Sequence, residues 1–428
     1  MMHSEPFVTS LDHTDAYKRT MNAWQWTHFR NLPVRFSFHY RNNTPYRLVD
    51  LVDENVLRQD LEALRELSFT DDEISATGRE FSPFNPVFAS DEYRQYLKQF
   101  RLPPIGVARQ GDTYAIDAVG FWPDSSWWET FVLGIVAKRA GQTLAKHVYG
   151  SRGMDEAWRQ NERNLRSKTE RLKQHPMLQM VEFGTRRALD PDMHDFNVGY
   201  LASELYAWQL VGTSNIRLAR KHGISSRGTM AHENFMVLAA LFDGMGFGEQ
   251  AIRRSQMEVL DNWATFYAPY SGDALLVALN ETFGGKSFYE DFGAERARRW
   301  KGVRPDSGDP VEEAQKAIAF YERCGINPRQ KVLFFADGQT TDSMILHHQM
   351  FNGRIKDVYG PGTHMTNDAG LPTLSIVMKA THVYVNDRWV PTVKLSNNLK
   401  KATGPVEYVE RYKRIFGYTS TFTEECHC

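Results

Sequence analysis

The sequence predicts an α/β protein whose main body is a parallel sheet or barrel, and three observations lead there. From about Met180 onward, short β-rich runs alternate with helical stretches, the pattern of successive β-α units. The runs end in polar or glycine residues, at Glu182-Phe183-Gly184, Gly212-Thr213, Gly228-Thr229, Leu275 to Leu279, Gly302 to Arg304, Phe334 to Asp337, Val358-Tyr359 and Ser375 to Met378. In parallel α/β architectures such ends converge on one face above a rigid sheet, where reactive side chains are exposed. A length of 428 residues with 42% apolar content is ample for burial and points to two or three domains rather than one.

Taken in order, residues 11–30 carry Tyr17, Met21, Trp24, Trp26 and Phe29 at helical spacing and lead into Val34 to Tyr40, whose alternation predicts a half-buried strand. Residues 51–75 read as two short polar helices and Asp91 to Phe100 as a third. Ile105 to Val119 reads as strands joined by a hairpin turn at Gln110-Gly111-Asp112. Gly120 to Gly141 passes from an aromatic loop into a short apolar helix, with Trp122, Trp127 and Trp128 expected to pack a domain interface. Ser151 to His175 places Trp158, Leu165 and Leu172 seven apart, which predicts one long exposed helix bridging domains. Beyond the β-α region, Trp389 to Leu395 alternates as a strand, and Lys400-Lys401 with Glu407 to Arg414 forms a charged surface segment.

Lys and Arg total 51 against 52 Asp and Glu, so no global field draws the chain to nucleic acid or anionic lipid, and an anionic ligand must be held locally. The longest apolar run, Phe235 to Phe242, is far below the roughly 20 residues that span a bilayer. The start shows no basic segment followed by an apolar one, and three cysteines, Cys324, Cys426 and Cys428, argue against a disulfide framework. A cytoplasmic protein without membrane or nucleic-acid partners is expected. Cys426-His427-Cys428 offers three ligands in a terminal tail, a poor structural metal site.

Arg304-Pro305-Asp306-Ser307-Gly308-Asp309-Pro310 is the densest chemical constellation. Arginine donates two parallel hydrogen bonds to planar or multiply charged anions, and aspartate can fix a sugar hydroxyl or a metal-bound water. The competing reading is an Asp-Gly turn capping the helix after Pro310. Gly360-Pro361-Gly362-Thr363 offers backbone N–H groups and a hydroxyl to a phosphate, although Pro361 has no N–H. Gly184-Thr185-Arg186-Arg187 presents two guanidiniums for a pyrophosphate or carboxylate, or for ordinary surface ion pairs, and Phe183 is either core or a ring on which a heterocycle stacks. Asp337-Gly338 and Asn280-Glu281-Thr282 end two further strands. His232 stands between a polar strand-like run and an apolar helical one, a place for chemistry or for an ordinary solvated histidine. With no Gly-x-Ser-x-Gly elbow and no His-Glu-x-x-His helix, the rim fits an anionic phosphorylated sugar better than an acyl substrate.

In their order and spacing these segments resemble the nicotinate phosphoribosyltransferase family, the type II phosphoribosyltransferases, over nearly the whole chain. The matching stretches are LDHTDAYK (11–18), GFWPDSSWWETFVLGIVA (120–137), EFGTRR (182–187), GTSNIRLARKHGI (212–224), GTMAHE (228–233), VRPDSGDP (303–310), FADG (335–338), YGPGTHMTND (359–368) and VKLS (393–396). The resemblance implies an irregular α/β barrel, similar to a TIM barrel, at 146–387, packed against an α/β sandwich domain formed by 1–145 and completed by about 388–428. It implies synthesis of nicotinate mononucleotide from nicotinate and 5-phosphoribosyl 1-diphosphate in NAD salvage, with magnesium (Mg2+) as cofactor and ATP as a co-substrate coupled through a phosphohistidine at His232. It implies His232, Arg304 and Asp306 as catalytic residues, Tyr17 and Phe183 on the two faces of the pyridine ring, and Gly360, Gly362 and Thr363 at the 5-phosphate. Thr185, Arg186, Arg187, Asp337 and Gly338 fall where the substrates are met, Glu281 beside a magnesium held mainly by substrate, and Tyr17 is lent by the second subunit of a homodimer.

The chain departs from the family at two places. Glu281-Thr282 stands where an aspartate often precedes the threonine, and KLSNNLKKAT replaces a Ser-Asp-x-Pro-Gly-Lys pattern, with Lys401 as the counterpart lysine. RPDSG also occurs in the related nicotinamide phosphoribosyltransferase, so nicotinamide is the alternative base. A non-catalytic phosphoribosyl-ligand-binding homologue is the alternative of a different class.

Overall fold

Val34, Phe36, Phe38 and Tyr40 are buried on one face of their strand because successive strand residues point to opposite sides. A computed structural model describes residues 8–41 and 44–423. The described strands are β1 (Pro33–Tyr40), β2 (Ile105–Gln110), β3 (Thr113–Phe121), β4 (Gln179–Glu182), β5 (Leu210–Thr213), β6 (Val277–Leu279), β7 (Gly302–Arg304), β8 (Val332–Phe335), β9 (Lys356–Tyr359), β10 (Ile376–Val385) and β11 (Arg388–Pro391). They form an antiparallel sheet in the order β11-β10-β1-β3-β2 and a parallel sheet in the order β5-β4-β9-β8-β7-β6.

The parallel sheet is rolled. Val181 of β4, Val211 of β5, Val277 of β6, Val332 of β8 and Val358 of β9 all line one cavity of about 290 Å³, so the two edge strands face a common interior. The gap between those edges is filled by residues 225–229: Thr213 N donates to Ser225 O at 3.1 Å, Arg227 N to Thr213 O at 2.8 Å, and Thr229 Oγ1 lies 3.5 Å from Val277 O. This is an irregular α/β barrel. The strand expected at Gly228-Thr229 does not form; Ser226 makes a single bridge to Thr213, and the Thr229 carbonyl accepts from the Thr20 hydroxyl at 2.8 Å instead of joining a ladder.

Further expectations are corrected. Ser375 to Met378 belongs not to the barrel but to the start of β10, which pairs with β1 on one edge and β11 on the other, so the domain boundary expected at 387 falls before Ile376. Periodicity reports that a strand exists, not which sheet supplies its partners. The helix after the tryptophan loop, Trp128–Tyr149, is 22 residues rather than short, and Gly134 and Gly141 lie buried within it. Beyond β11 the chain returns to the barrel, where Phe416 stacks on Phe283 with centroids 4.2 Å apart, and Lys401 is buried rather than on the surface.

The predicted bridging helix is Gly153–Lys173, with Leu165 and Leu172 buried along one stripe. Of the tryptophans, Trp127 packs with Phe69 and Phe100, while Trp122 meets Trp24 edge-on at 5.9 Å. Trp24, on helix Ala16–Phe29, also contacts Trp263 at 6.0 Å and donates from Nε1 to Asn262 at 3.0 Å, which joins the N-terminal helix to the barrel-side helix Glu249–Ser271. Among the described residues no helix is long and apolar enough to cross a membrane, and Cys426-His427-Cys428 lies outside them. Trp24→Ala removes a fully buried ring at this junction and is expected to lower unfolding free energy by about 3 to 5 kcal/mol, measured by denaturant titration.

Candidate active site

The carboxyl ends of β4, β7, β8 and β9 open into a pocket of about 430 Å³. Phe183 and Arg186 follow β4, Arg304 and Asp306 end and follow β7, Asp337 and Gly338 follow β8, and Gly360, Gly362 and Thr363 follow β9. The antiparallel domain closes the other side with Tyr17, Glu129 and Lys379, and the C-terminal segment adds Lys394 and Lys401. The loops lie close together. A Cβ on Gly184 would collide with Thr366 and with the Glu182 carboxylate, whose oxygen accepts from Gly184 N, so glycine is needed where the β4 and β9 loops touch.

His232 opens helix His232–Gly244 and is 4% exposed. Its Nδ1 lies 3.0 Å from Thr282 Oγ1 and its Nε2 3.2 Å from Asp306 Oδ2, with Glu281 Oε1 3.8 Å from Nε2. Burial, reinforced by the nearby Lys394 charge, holds the imidazole pKa well below its ordinary value, against the opposing pull of Asp306. The ring is therefore neutral. An ionised carboxylate only accepts, so Nε2–H donates to Asp306 and the Thr282 hydroxyl donates to Nδ1. Burial alone would raise the Asp306 pKa, but the His232 contact and the fields of Lys401 and Lys394 keep it well below the carboxylate range.

Glu281 is the buried carboxylate behind this pair. Desolvation and the neighbouring Asp306 push it up to about 7, while burial brings Lys394 down to about 8 against the opposing pull of Glu281 and Asp306. Glu281, Asp306 and His232 each offer a ligand atom within 4.8 Å of one another. The two carboxylates suit a hard cation such as magnesium that keeps most of its oxygen ligands from elsewhere. Lys401 Nζ donates to Asp306 O at 3.0 Å and to Asp337 at 2.6 Å, so the divergent C-terminal stretch still delivers a lysine to the rim.

Three expected residues stand apart from the pocket's polar surface. Thr185 faces Ser214 at 3.2 Å and is buried. Arg187 reaches the pocket edge, but its guanidinium donates to Ile376 O at 3.2 Å. Glu281 lies behind the lining rather than on it. Tyr17 lies on the N-terminal helix, with its ring 5.4 Å from the Arg186 guanidinium and its hydroxyl 3.2 Å from Glu129. Asp309 proves to be the cap of helix Pro310–Arg323, accepting from Glu312 N at 2.8 Å, so the turn reading holds for that half of the motif.

Sequence reading missed Glu129, Lys379 and Lys394. Glu129 lies 2.8 Å from Lys18, 3.3 Å from Arg186 and 3.4 Å from Lys379. Burial by itself would raise its pKa, yet these cations hold it far below the carboxylate range. A single charged residue inside the otherwise apolar run WWETFVLGIVA was the available signal. Glu129→Gln weakens the support of buried Lys18, and a loss of about 3 kcal/mol in unfolding free energy is expected, since breaking a buried ion pair strands the remaining charge. Equilibrium denaturation measures it.

The pattern of the Nicotinate phosphoribosyltransferase (NAPRTase) family matches residues 178–420, and that of its N-terminal domain matches residues 13–137. The fold is similar to the crystal structure of nicotinate phosphoribosyltransferase from Porphyromonas gingivalis, with TM-score 0.82 and 28% identity, covering 96% of this chain and 100% of that one. It is also similar to the enzyme of that name from Vibrio cholerae, with TM-score 0.80 and 26% identity over 97% of this chain and 95% of that one. With both patterns matched in order and the barrel mouth assembled from the same segments, the chain belongs to the nicotinate phosphoribosyltransferase family.

Proposed function

We propose that this chain transfers the phosphoribosyl group of 5-phosphoribosyl 1-diphosphate to the ring nitrogen of nicotinate, releasing diphosphate and forming nicotinate mononucleotide, with ATP driving turnover through phosphorylation of His232. The observation that carries this reading is the charge of the pocket. Arg41, Arg186, Arg304, Lys379, Lys394 and Lys401 line it against only Glu129, Asp306, Asp337 and Asp368, in a chain whose net charge is −1. Cations gathered in a partly dry cleft attract a polyanion far more strongly than the same charges spread over the surface.

The chemistry asks for positioning and charge stabilisation. As diphosphate departs and the pyridine nitrogen approaches, positive charge grows on the ribose, and the Asp306 carboxylate faces the place where it develops. Tyr17 and Phe183 flank the ring, Gly360, Gly362 and Thr363 hold the 5-phosphate, and Asp337 with Gly338 meets the ribose. Asp306, on the pocket lining, would contact a magnesium held mainly by the diphosphate, whose charge that ion would neutralise, with Glu281 behind it. For phosphoryl transfer, Thr282 can accept a proton-bearing Nδ1 as readily as donate to it, so once Asp306 is engaged by substrate the ring can present its Nε2 lone pair. We place the enzyme in the cytoplasm, where ATP is at hand.

Product formation with nicotinate or nicotinamide, each with and without ATP, tests the reading. Faster turnover of nicotinate, stimulated by ATP, is expected; nicotinamide turned over equally well would change the base, and tight binding without product would leave a binding protein. Arg304→Ala is expected to cost about 2 kcal/mol in kcat/KM for nicotinate. Because the His232 pKa is depressed, the ring stays neutral where an ordinary histidine protonates, so ATP labelling should persist from about pH 8 down to about pH 6 and vanish in His232→Asn.

A further inference from the structure

Among the described residues, Asn386, Asp387 and Ser396 are the non-glycines with positive φ. The first two form the turn between β10 and β11, where short polar side chains tolerate the left-handed region. Ser396 has φ 65° and is completely buried. Glycine would relieve that backbone, so a serine held there points to a task for its hydroxyl.

The hydroxyl lies 2.7 Å from Ser307 Oγ and 3.2 Å from Glu281 Oε1, while Ser307 Oγ donates to Glu281 Oε2 at 2.5 Å. The backbone works with it. Leu395 N and Ser396 N both donate to the Thr282 carbonyl, at 2.8 and 3.2 Å, and Asn397 N donates to Ser307 Oγ at 3.1 Å. Two consecutive N–H groups converging on one carbonyl is a geometry that an extended strand cannot supply. The segment therefore ties the loop after β6, whose Thr282 meets His232 Nδ1, to the loop after β7, whose Asp306 meets Nε2.

We propose that Ser396 is a positioning residue: its left-handed backbone and buried hydroxyl hold Glu281 and Ser307 so that Thr282 and Asp306 grip the two nitrogens of His232. The kinetic consequence rests on the proposed phosphorylation of His232; the geometry does not.

Ser396→Gly removes the hydroxyl and relieves the backbone, whereas Ser396→Ala removes the hydroxyl and keeps the strain. The expected result is that Ser396→Gly melts at or above the wild-type temperature and Ser396→Ala below it. Ser396→Gly should nonetheless lose about tenfold or more in ATP-stimulated kcat, with KM for nicotinate within about twofold. Ser307→Ala should fall similarly, and the double variant should be little worse than the poorer single one, as for two groups acting through one carboxylate. The imidazole 15N resonances of His232, identified by their absence in His232→Asn, should shift in Ser396→Gly. Wild-type kcat with unmoved resonances overturns the proposal, as does a parallel loss of melting temperature and kcat in both substitutions. If the wild-type protein makes no product, the proposed function fails, while the melting and resonance comparison still decides whether Ser396 positions His232.

Discussion

A buried ammonium group between two carboxylates holds this molecule together at its functional end. Lys18 is fully buried and lies 2.8 Å from Glu129 and 2.7 Å from Glu233. Removing three charges from water is costly, and only close mutual pairing with further hydrogen bonds offsets it. Those bonds are present: Glu233 also accepts from Gln25 and from the Trp122 indole. The three partners come from helix Ala16–Phe29, helix Trp128–Tyr149 and helix His232–Gly244, so satisfying one charge fixes three elements. Glu233 adjoins His232, but consecutive helical residues point about 100° apart, so one faces the ion cluster while the other faces the pocket.

The same cluster sets the electrostatics of the pocket. Glu129, shared among Lys18, Arg186 and Lys379, balances part of the cationic excess before any ligand arrives. Nearer the barrel, Lys394 lies 4.0 Å from Glu281, and each shifts toward its neutral form because both are dry. A buried histidine in this field stays neutral without needing a high pH. This follows from burial first and from charge placement second.

Much of this was legible in the sequence. The ends of β4, β7, β8 and β9 could be read because apolar runs stop at Glu182, Arg304, Asp337 and Gly360, and the parallel sheet brings those ends to one face. The membership of β10 could not, since its alternation is the same whether its neighbour is a barrel strand or β1. Glu129, Lys379 and Lys394 read as ordinary charged residues, and only the packing of two domains turns them inward. Ser396-Asn397-Asn398 reads as a turn, but which of its residues takes the left-handed backbone is visible only in three dimensions. Lys401 read as part of a charged surface segment, yet its side chain turns inward and reaches Asp337.

The three arginines raised by the sequence reach different states, and the difference bears on where an aromatic carboxylate gains most. Arg187 is committed to the carbonyl of Ile376. Arg186 is committed to Asp15 at 3.0 Å and to Glu129 at 3.3 Å, so an incoming anion there competes with two carboxylates already in place. Arg304 gives one Nη2 hydrogen bond to Met230 O at 2.8 Å, and its buried Nε is without a hydrogen-bond partner among the described residues. An unmet donor on a buried cation is unfavourable in the free protein, and burial lowers its pKa accordingly. Arg304 also shares its place with Phe183 and Phe334 on the wall between pocket and barrel interior, where a flat ring finds aromatic neighbours on the side away from the polar rim.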